Sequence, residues 1–119
     1  MRNALTKTTS LNKPETGLTA ESACMQHLNA IAMQNNYSLY YWKNKHEIDF
    51  EVQTPSDLVP IEVKYQNDIN SSDLEALREF KQRHSSKYAL LVTKNASKKE
   101  DGLEQIALHE FLANKKLFD

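Results

Sequence analysis

Two strand-like runs joined by a short polar turn constrain the fold of this chain most. In residues 47–53, and again in residues 59–65, apolar side chains alternate with charged ones, with Ile48 and Phe50 on one apolar face. Alternation with a period of two is typical of strands that bury one face. The turn at residues 54–57 (Thr-Pro-Ser-Asp) has the composition of a tight connection. The sequence therefore predicts an antiparallel hairpin.

The register of this hairpin brings charged residues together. If the hairpin is centred between Pro55 and Ser56, Asp49 lies directly across from Glu62, and Lys64 follows on the same face as Glu62. A slip of one residue would move Asp49 to the opposite face and bury charges, so the register is well specified. We predict that two carboxylates and a lysine, each within a strand, converge on the polar face.

The remaining elements follow from helical periodicity, capping residues and one fully apolar run. A helix over residues 19–34 is predicted to begin at a Thr19 cap and to bury a stripe that includes Cys24 and Leu28. Residues 88–92 are typical of a strand buried on both faces. The other predicted elements are a strand at 37–42, a helix at 72–84 opened by a capping box of Ser72 and Glu75, a polar loop at 94–102, a short edge strand at 105–108 and a helix at 110–117.

The order α-β-β-β-α-β predicts an α/β domain, and 119 residues suffice for one domain only. We expect this domain to span residues 17–119, after a flexible lead-in or linker at residues 1–16. No apolar run approaches the ~20 residues that cross a bilayer. Cys24 is the one cysteine, which fits a reducing compartment, so we expect a cytoplasmic protein without membrane contact.

Asp49, Glu62 and Lys64 together meet the requirements of phosphodiester hydrolysis. That reaction needs a hard cation, and carboxylate oxygens are the ligands such a cation prefers. Asp49 and Glu62 are therefore candidate metal ligands. Glu21, on the buried face of the first helix, is a candidate for a further or water-mediated ligand. Lys64 is a candidate to orient or deprotonate the attacking water, or to stabilise the pentacoordinate charge.

The alternative is that these residues are ordinary charges on a solvated sheet face. With 16 acidic residues in the chain, roughly one or two acid-x-Lys triplets arise by chance, and a second one stands at residues 79–81 (Glu-Phe-Lys). That triplet falls in a predicted helix, where positions i and i+2 point in different directions, whereas in a strand they share a face. The joint placement of Asp49, Glu62 and Lys64 therefore favours a site.

Five short blocks of sequence carry a resemblance to a known superfamily. With these blocks in order over about residues 17–113, the chain resembles the PD-(D/E)XK nuclease-like superfamily, in particular the nuclease-like module at the C-terminus of prokaryotic AAA-type ATPases. The blocks are Gly17-Leu18-Thr19-Ala20-Glu21, Tyr41-Trp42-Lys43, Glu47-Ile48-Asp49-Phe50, Pro60-Ile61-Glu62-Val63-Lys64-Tyr65 and Leu91-Val92-Thr93-Lys94.

The resemblance implies a restriction-endonuclease-like fold, in which helices flank a mixed central β-sheet. It also implies a Mg2+-dependent site in which Mn2+ can replace Mg2+. In that site Asp49 and Glu62 match the metal-binding acids, Lys64 the catalytic lysine and Glu21 the helix acid. Ser22 departs from the pattern, because the ATPase-linked relatives usually have Asn there. No Walker motif precedes the domain, so a stand-alone nuclease and a fragment of a longer ATPase-linked protein are both open.

Two functions from different classes are consistent with the sequence. The first is a metal-dependent nuclease, with DNA as the expected substrate and RNA left open, which forms a homodimer if it pairs up as many nucleases of this fold do. The second is a catalytically inactive nuclease-like module that binds a partner protein such as an ATPase. The net charge of −1 favours the second, because proteins that bind nucleic acid through phosphates usually carry an excess of basic residues.

Overall fold

A six-stranded mixed β-sheet runs through the domain, with helices packed on both of its faces. The computed structural model describes residues 16–41 and 48–115. The predicted lead-in before residue 16, Trp42 at the end of the first predicted strand, and residues 116–119 lie outside the described residues. The elements are α1 (Thr16–Asn35), β1 (Ser38–Tyr41), β2 (Phe50–Gln53), β3 (Leu58–Lys64), α2 (Ser71–Arg83), β4 (Ala89–Thr93), β5 (Lys98–Glu100), β6 (Leu103–Ala107) and α3 (Leu108–Ala113).

The strands lie in the order β1-β2-β3-β4-β6-β5. Strands β3, β4 and β6 are parallel to one another, whereas β1, β2 and β5 pair antiparallel with their neighbours. Parallel strands require helices on both faces of the sheet, and β4 is buried along its whole length as predicted. The α/β class and the mixed sheet flanked by helices are confirmed. Among the described residues, no helix is long and apolar enough to cross a bilayer.

Helix α1 covers one face of the sheet with the predicted apolar stripe. Cys24, Leu28 and Ile31 are spaced by three and four residues, so they fall on one side of the helix, and all three are buried. They pack in one cluster with side chains of β2, β3, β4, β6 and α3. The predicted cap at Thr19 is wrong, because the helix begins at Thr16. Thr19 therefore lies within the first turn of the helix, although its residue type is common at caps.

Helix α2 covers the opposite face and is capped by a residue that the sequence reasoning passed over. The capping box consists of Asn70 and Asp73 rather than Ser72 and Glu75. Asn70 Oδ1 accepts a hydrogen bond from the Asp73 N–H at 3.2 Å, and Asp73 Oδ2 accepts one from the Asn70 N–H at 3.0 Å. Asn70 has the extended backbone that a cap requires, whereas Ser72 is already helical.

The far edge of the sheet differs from the prediction. Strand β6 is not an edge strand, because it lies between β4 and β5, and β5 occupies part of the predicted polar loop. A two-residue hairpin joins β5 to β6 through Asp101 and Gly102, which have φ angles of 50° and 79°. Both angles are positive, as a type I′ turn requires. A Cβ at Gly102 would lie 2.6 Å from the Lys87 carbonyl oxygen, so only glycine fits there.

The hairpin of β2 and β3 has the predicted register but a shorter first strand. Phe50 pairs with Ile61, which places Asp49 opposite Glu62 at the end of the ladder. Asp49 itself lies in a bend just before β2, so its placement inside a strand is wrong. The bend also breaks the predicted alternation, because Ile48 packs in the cluster under α2 while Phe50 packs in the cluster under α1.

The Asn70 cap makes a testable contribution to stability. We expect Asn70→Ala to lower the free energy of unfolding by about 1 kcal/mol, since it leaves an amide at the start of α2 without its side-chain acceptor. Ser72→Ala is the matched control, and we expect a change within ~0.5 kcal/mol. Urea denaturation of both variants measures the difference. A larger loss for Ser72→Ala than for Asn70→Ala would contradict the observed cap.

Candidate functional site

Asp49 and Glu62 are held together by reciprocal bonds to the backbone. Asp49 Oδ2 accepts a hydrogen bond from the Val63 N–H at 2.9 Å, and the Glu62 carboxylate accepts one from the Asp49 N–H. These bonds continue the β2–β3 pairing for one step beyond the ladder, through side chains instead of carbonyls. The predicted convergence of Asp49 and Glu62 is therefore present, although a bend and not a strand supplies Asp49.

Glu21, in the first turns of α1, lies near Asp49 and Glu62. Burial, together with the smaller effect of the neighbouring Asp49 carboxylate, raises its pKa to about 7. The electrostatic effect of Glu21 also extends to Glu62. All three carboxyl groups are half-buried. The helix acid predicted from the buried stripe therefore belongs to the same cluster of carboxylates, which we call the acid cluster (Glu21, Asp49 and Glu62).

Burial dominates the electrostatics of the acid cluster. It is the largest cause of the rise in the pKa of Glu62 to about 8, with repulsion from Asp49 adding to that rise and attraction to Lys64 opposing it. It also raises the pKa of Asp49, against the lowering effects of the Val63 N–H and of Lys64. A carboxylate that leaves water loses hydration, so its charged form is disfavoured. Burial therefore outweighs the attraction of Lys64 at both Asp49 and Glu62.

Two neighbouring side chains locate the acid cluster in the fold. The pKa of the Cys24 thiol rises to about 12, first through burial and then through Glu21 and Asp49. Burial and the same two acids also raise the pKa of Tyr41 at the end of β1. The cluster therefore lies where α1 crosses the ends of β1 and β2. Cys24 is fully buried in the apolar cluster under α1, so it is a core residue.

Lys64 lies on the α2 side of the sheet and has a partner that the sequence reasoning missed. Glu62 and Lys64 pair with Leu91 and Thr93 of β4, so they share one face of β3. Lys64 Nζ lies 3.7 Å from Asp73 Oδ1. The signal that points to Asp73 was present in the sequence, since Asn and Asp three residues apart form a capping box directly after β3.

The chance triplet at residues 79–81 does not form a comparable arrangement. Glu79 is exposed on α2, and Lys81 packs near Gly102 at the β5–β6 turn. Their side chains point apart, as expected for positions i and i+2 of a helix. Strand placement therefore distinguishes Glu62 and Lys64 from Glu79 and Lys81.

One buried carboxylate oxygen makes the acid cluster suitable for binding a divalent cation. Glu62 Oε1 is buried and has no hydrogen-bond partner among the described residues, and a buried acceptor without a partner is costly. In residues 16–41 and 48–115, no group of three or more His, Cys, Asp or Glu side chains is arranged to hold a metal ion by itself. Mg2+ commonly uses one or two carboxylates together with water and substrate phosphates. Asp49 and Glu62 would suffice, with Glu21 contacting the ion through water.

A model of one protein family matches residues 16–111, which is most of the chain. The chain belongs to the family of the domain of unknown function DUF4143. Members of the DUF4143 family are often found with AAA ATPases, in agreement with the ATPase-linked part of the resemblance. No curated protein matches the sequence of this DUF4143 domain.

The acid cluster makes stability depend on pH. The pKa values of Glu62 and Glu21 rise from 4.5 to about 8 and about 7, so the folded protein holds protons that the unfolded chain releases from pH 4.5 upward. The contribution of these two groups to stability is therefore greatest below pH 4.5. That contribution is lost as the pH rises through 7 and 8. After allowance for solvent screening, we expect a loss on the order of 1–2 kcal/mol between pH 5 and pH 8.

Chemical denaturation at the two pH values tests this expectation. Glu62→Gln removes the larger shift while keeping the shape of the side chain, so the loss between pH 5 and pH 8 should shrink. Glu75→Gln, on the exposed side of α2, is the matched control and should behave as the wild type. An unchanged loss in Glu62→Gln would show that the cluster does not cause it.

Proposed function

We propose that this DUF4143 domain is a metal-dependent nuclease of the PD-(D/E)XK type that hydrolyses phosphodiester bonds, with DNA as the expected substrate. The observation that carries the proposal is the buried Glu62 Oε1, which has no partner within the described residues. It lies in a cluster of three desolvated carboxyl groups beside a lysine. Perturbed titratable groups that gather at one place are a common mark of a catalytic site.

Each residue has a distinct role in the proposed site. Asp49 and Glu62 would hold the cation, since one oxygen of Asp49 is left over from the bond to the Val63 N–H and Glu62 Oε1 has no partner among the described residues. A bound Mg2+ or Mn2+ would neutralise phosphate charge and lower the pKa of a bound water. Glu21, half-buried beside these two acids, can hydrogen-bond that water and accept or return its proton.

Lys64 supplies positive charge where the phosphate is attacked. Its side chain leaves β3 on the same face as Glu62, two residues further along the strand. In an in-line displacement, negative charge accumulates on the non-bridging oxygens, and a fixed cation stabilises that charge. Lys64 therefore orients the attacking water or stabilises the pentacoordinate phosphorus.

A nucleic-acid substrate is supported by the groups at the carboxyl ends of the parallel strands. β3 and β4 end side by side, because Lys64 pairs with Thr93. The next residues, Tyr65 and Lys94, are in contact, with the Lys94 ammonium 5.7 Å from the centre of the Tyr65 ring. Ligands of open α/β sheets bind at this edge. Lys94 can contact a phosphate of the substrate, and Tyr65 has a ring on which a base can stack.

A cleavage assay tests the proposed activity. We expect the wild type to cut single-stranded, duplex or branched DNA with Mg2+ or Mn2+ and to lose activity with a chelator. Lys64→Ala and Glu62→Gln should reduce the rate by about 100-fold or more, since each removes a group that acts in the transition state. Glu79→Gln and Lys81→Ala alter the chance triplet on α2 and serve as matched controls. Equal rates in the wild type and Lys64→Ala would exclude the catalytic role.

A non-catalytic module that binds an ATPase or another protein is the second candidate. The occurrence of DUF4143 domains with AAA ATPases and the net charge of −1 favour it. Metal binding distinguishes the two candidates without a substrate. The nuclease must bind a cation, and Asp49→Asn should lower the affinity for that cation by about 10-fold or more. Calorimetric titration with Mn2+ that finds no binding, or binding equal in the wild type and Asp49→Asn, would favour the interaction module.

A further inference from the structure

One carboxylate outside the acid cluster bridges α2 and β3. Asp73 Oδ1 lies 3.7 Å from Lys64 Nζ, and Asp73 Oδ2 accepts the Asn70 N–H at 3.0 Å. The Asp73 side chain is 13% exposed and the Lys64 side chain 37% exposed. Helix capping uses only one of the two oxygens, so the cap does not account for the contact with Lys64.

Lys64 has two competing anionic neighbours. One of them is Glu62, which lies on the same face of β3 and whose buried Oε1 has no partner in the described part of the chain. A flexible ammonium group two residues away on the same strand face would form a strong charge-assisted bond with that oxygen. The ammonium contacts Asp73 instead. Glu62 Oε1 therefore has no partner among these residues because the Lys64 ammonium contacts Asp73.

We propose that Asp73 is a positioning residue that holds Lys64 away from Glu62 and so keeps that carboxylate open for a divalent cation. The inference rests on the metal site of the proposed function. Without the Asp73 charge, Lys64 turns to Glu62 and occupies the place of the cation. Asp73 therefore acts on metal affinity through Lys64, and its effect requires the lysine to be present.

The substitution Asp73→Asn separates positioning from capping. Asparagine keeps an oxygen that accepts the Asn70 N–H but has no charge to hold Lys64. We expect the dissociation constant for Mn2+ to rise about 10-fold, which is the usual size of an indirect effect on a metal site. Asn70→Ala is the matched control, since it removes the side-chain cap and leaves the Asp73 charge in place. We expect Asn70→Ala to bind Mn2+ as the wild type does.

A double-mutant cycle with Lys64→Ala separates positioning from long-range charge. If Asp73 acts through Lys64, Asp73→Asn changes Mn2+ affinity less than about 2-fold in the Lys64→Ala background. If Asp73 acts only as a distant negative charge, the 10-fold loss persists in that background. Persistence of the loss, no loss in Asp73→Asn alone, or an equal loss in Asn70→Ala would each overturn the proposal.

Calorimetry with Mn2+ on the full chain without DNA gives all of these values independently of turnover. A protein that binds Mn2+ with the expected cycle but cleaves neither DNA nor RNA refutes the nuclease and supports the role of Asp73. A protein that cleaves DNA but shows no cycle refutes only the role of Asp73. A wild type that does not bind Mn2+ overturns both the metal site and the inference.

Discussion

Asp49 lies opposite Glu62 because β2 and β3 pair in a register that puts Phe50 across from Ile61. Both apolar residues are fully buried against α1. Burial of side chains of this kind contributes about 1.5–3 kcal/mol each, and Val52 and Val59 add to the same layer. Repulsion between two partly screened carboxylates amounts to a few kcal/mol at most. The apolar layer therefore decides the register, and the acids are brought together at its end.

The acid cluster destabilises the folded state locally, and the packing of the rest of the domain compensates for it. Each of its carboxyl groups has a raised pKa because of burial, and one oxygen of Glu62 has no partner among the residues described. A core selected for stability alone would place apolar or paired groups there. Concentrated unfavourable electrostatics of this kind are characteristic of functional sites, where a ligand supplies the missing charge.

The parts of the fold that depend on local periodicity were predictable from the sequence, and those that depend on tertiary pairing were not. The stripe of α1, the fully buried β4 and the register across the β2–β3 turn follow from spacing and hydrophobicity alone. The position of β6 inside the sheet does not, because strand order is decided by packing. Asp101-Gly102 is a sequence signal for a two-residue hairpin, so the β5–β6 turn is the one feature of this edge that local sequence does indicate.

The candidate site shows the same division. Asp49, Glu62 and Glu21 were assembled from register and from one helix face, and the structure brings them together. Asp73 was missed because the cap was assigned to Ser72, which is also a capping residue. Choosing between two caps two residues apart requires the backbone that follows β3. The contact of Asp73 with Lys64 then depends on how α2 packs on the sheet, which no local pattern encodes.

The balance of charge at the strand ends connects these features. With a net charge of −1, the chain has no general attraction for a polyanion, so any attraction must be local. Lys64 and Lys94 lie at the ends of β3 and β4, but the acid cluster beside them repels phosphate once its carboxyl groups are ionised. A divalent cation bound to Asp49 and Glu62 would cancel that repulsion and leave the two lysines as the dominant local charges. In the proposed nuclease, substrate affinity is therefore coupled to metal binding, because the same ion that activates water also removes the electrostatic barrier to the phosphate backbone.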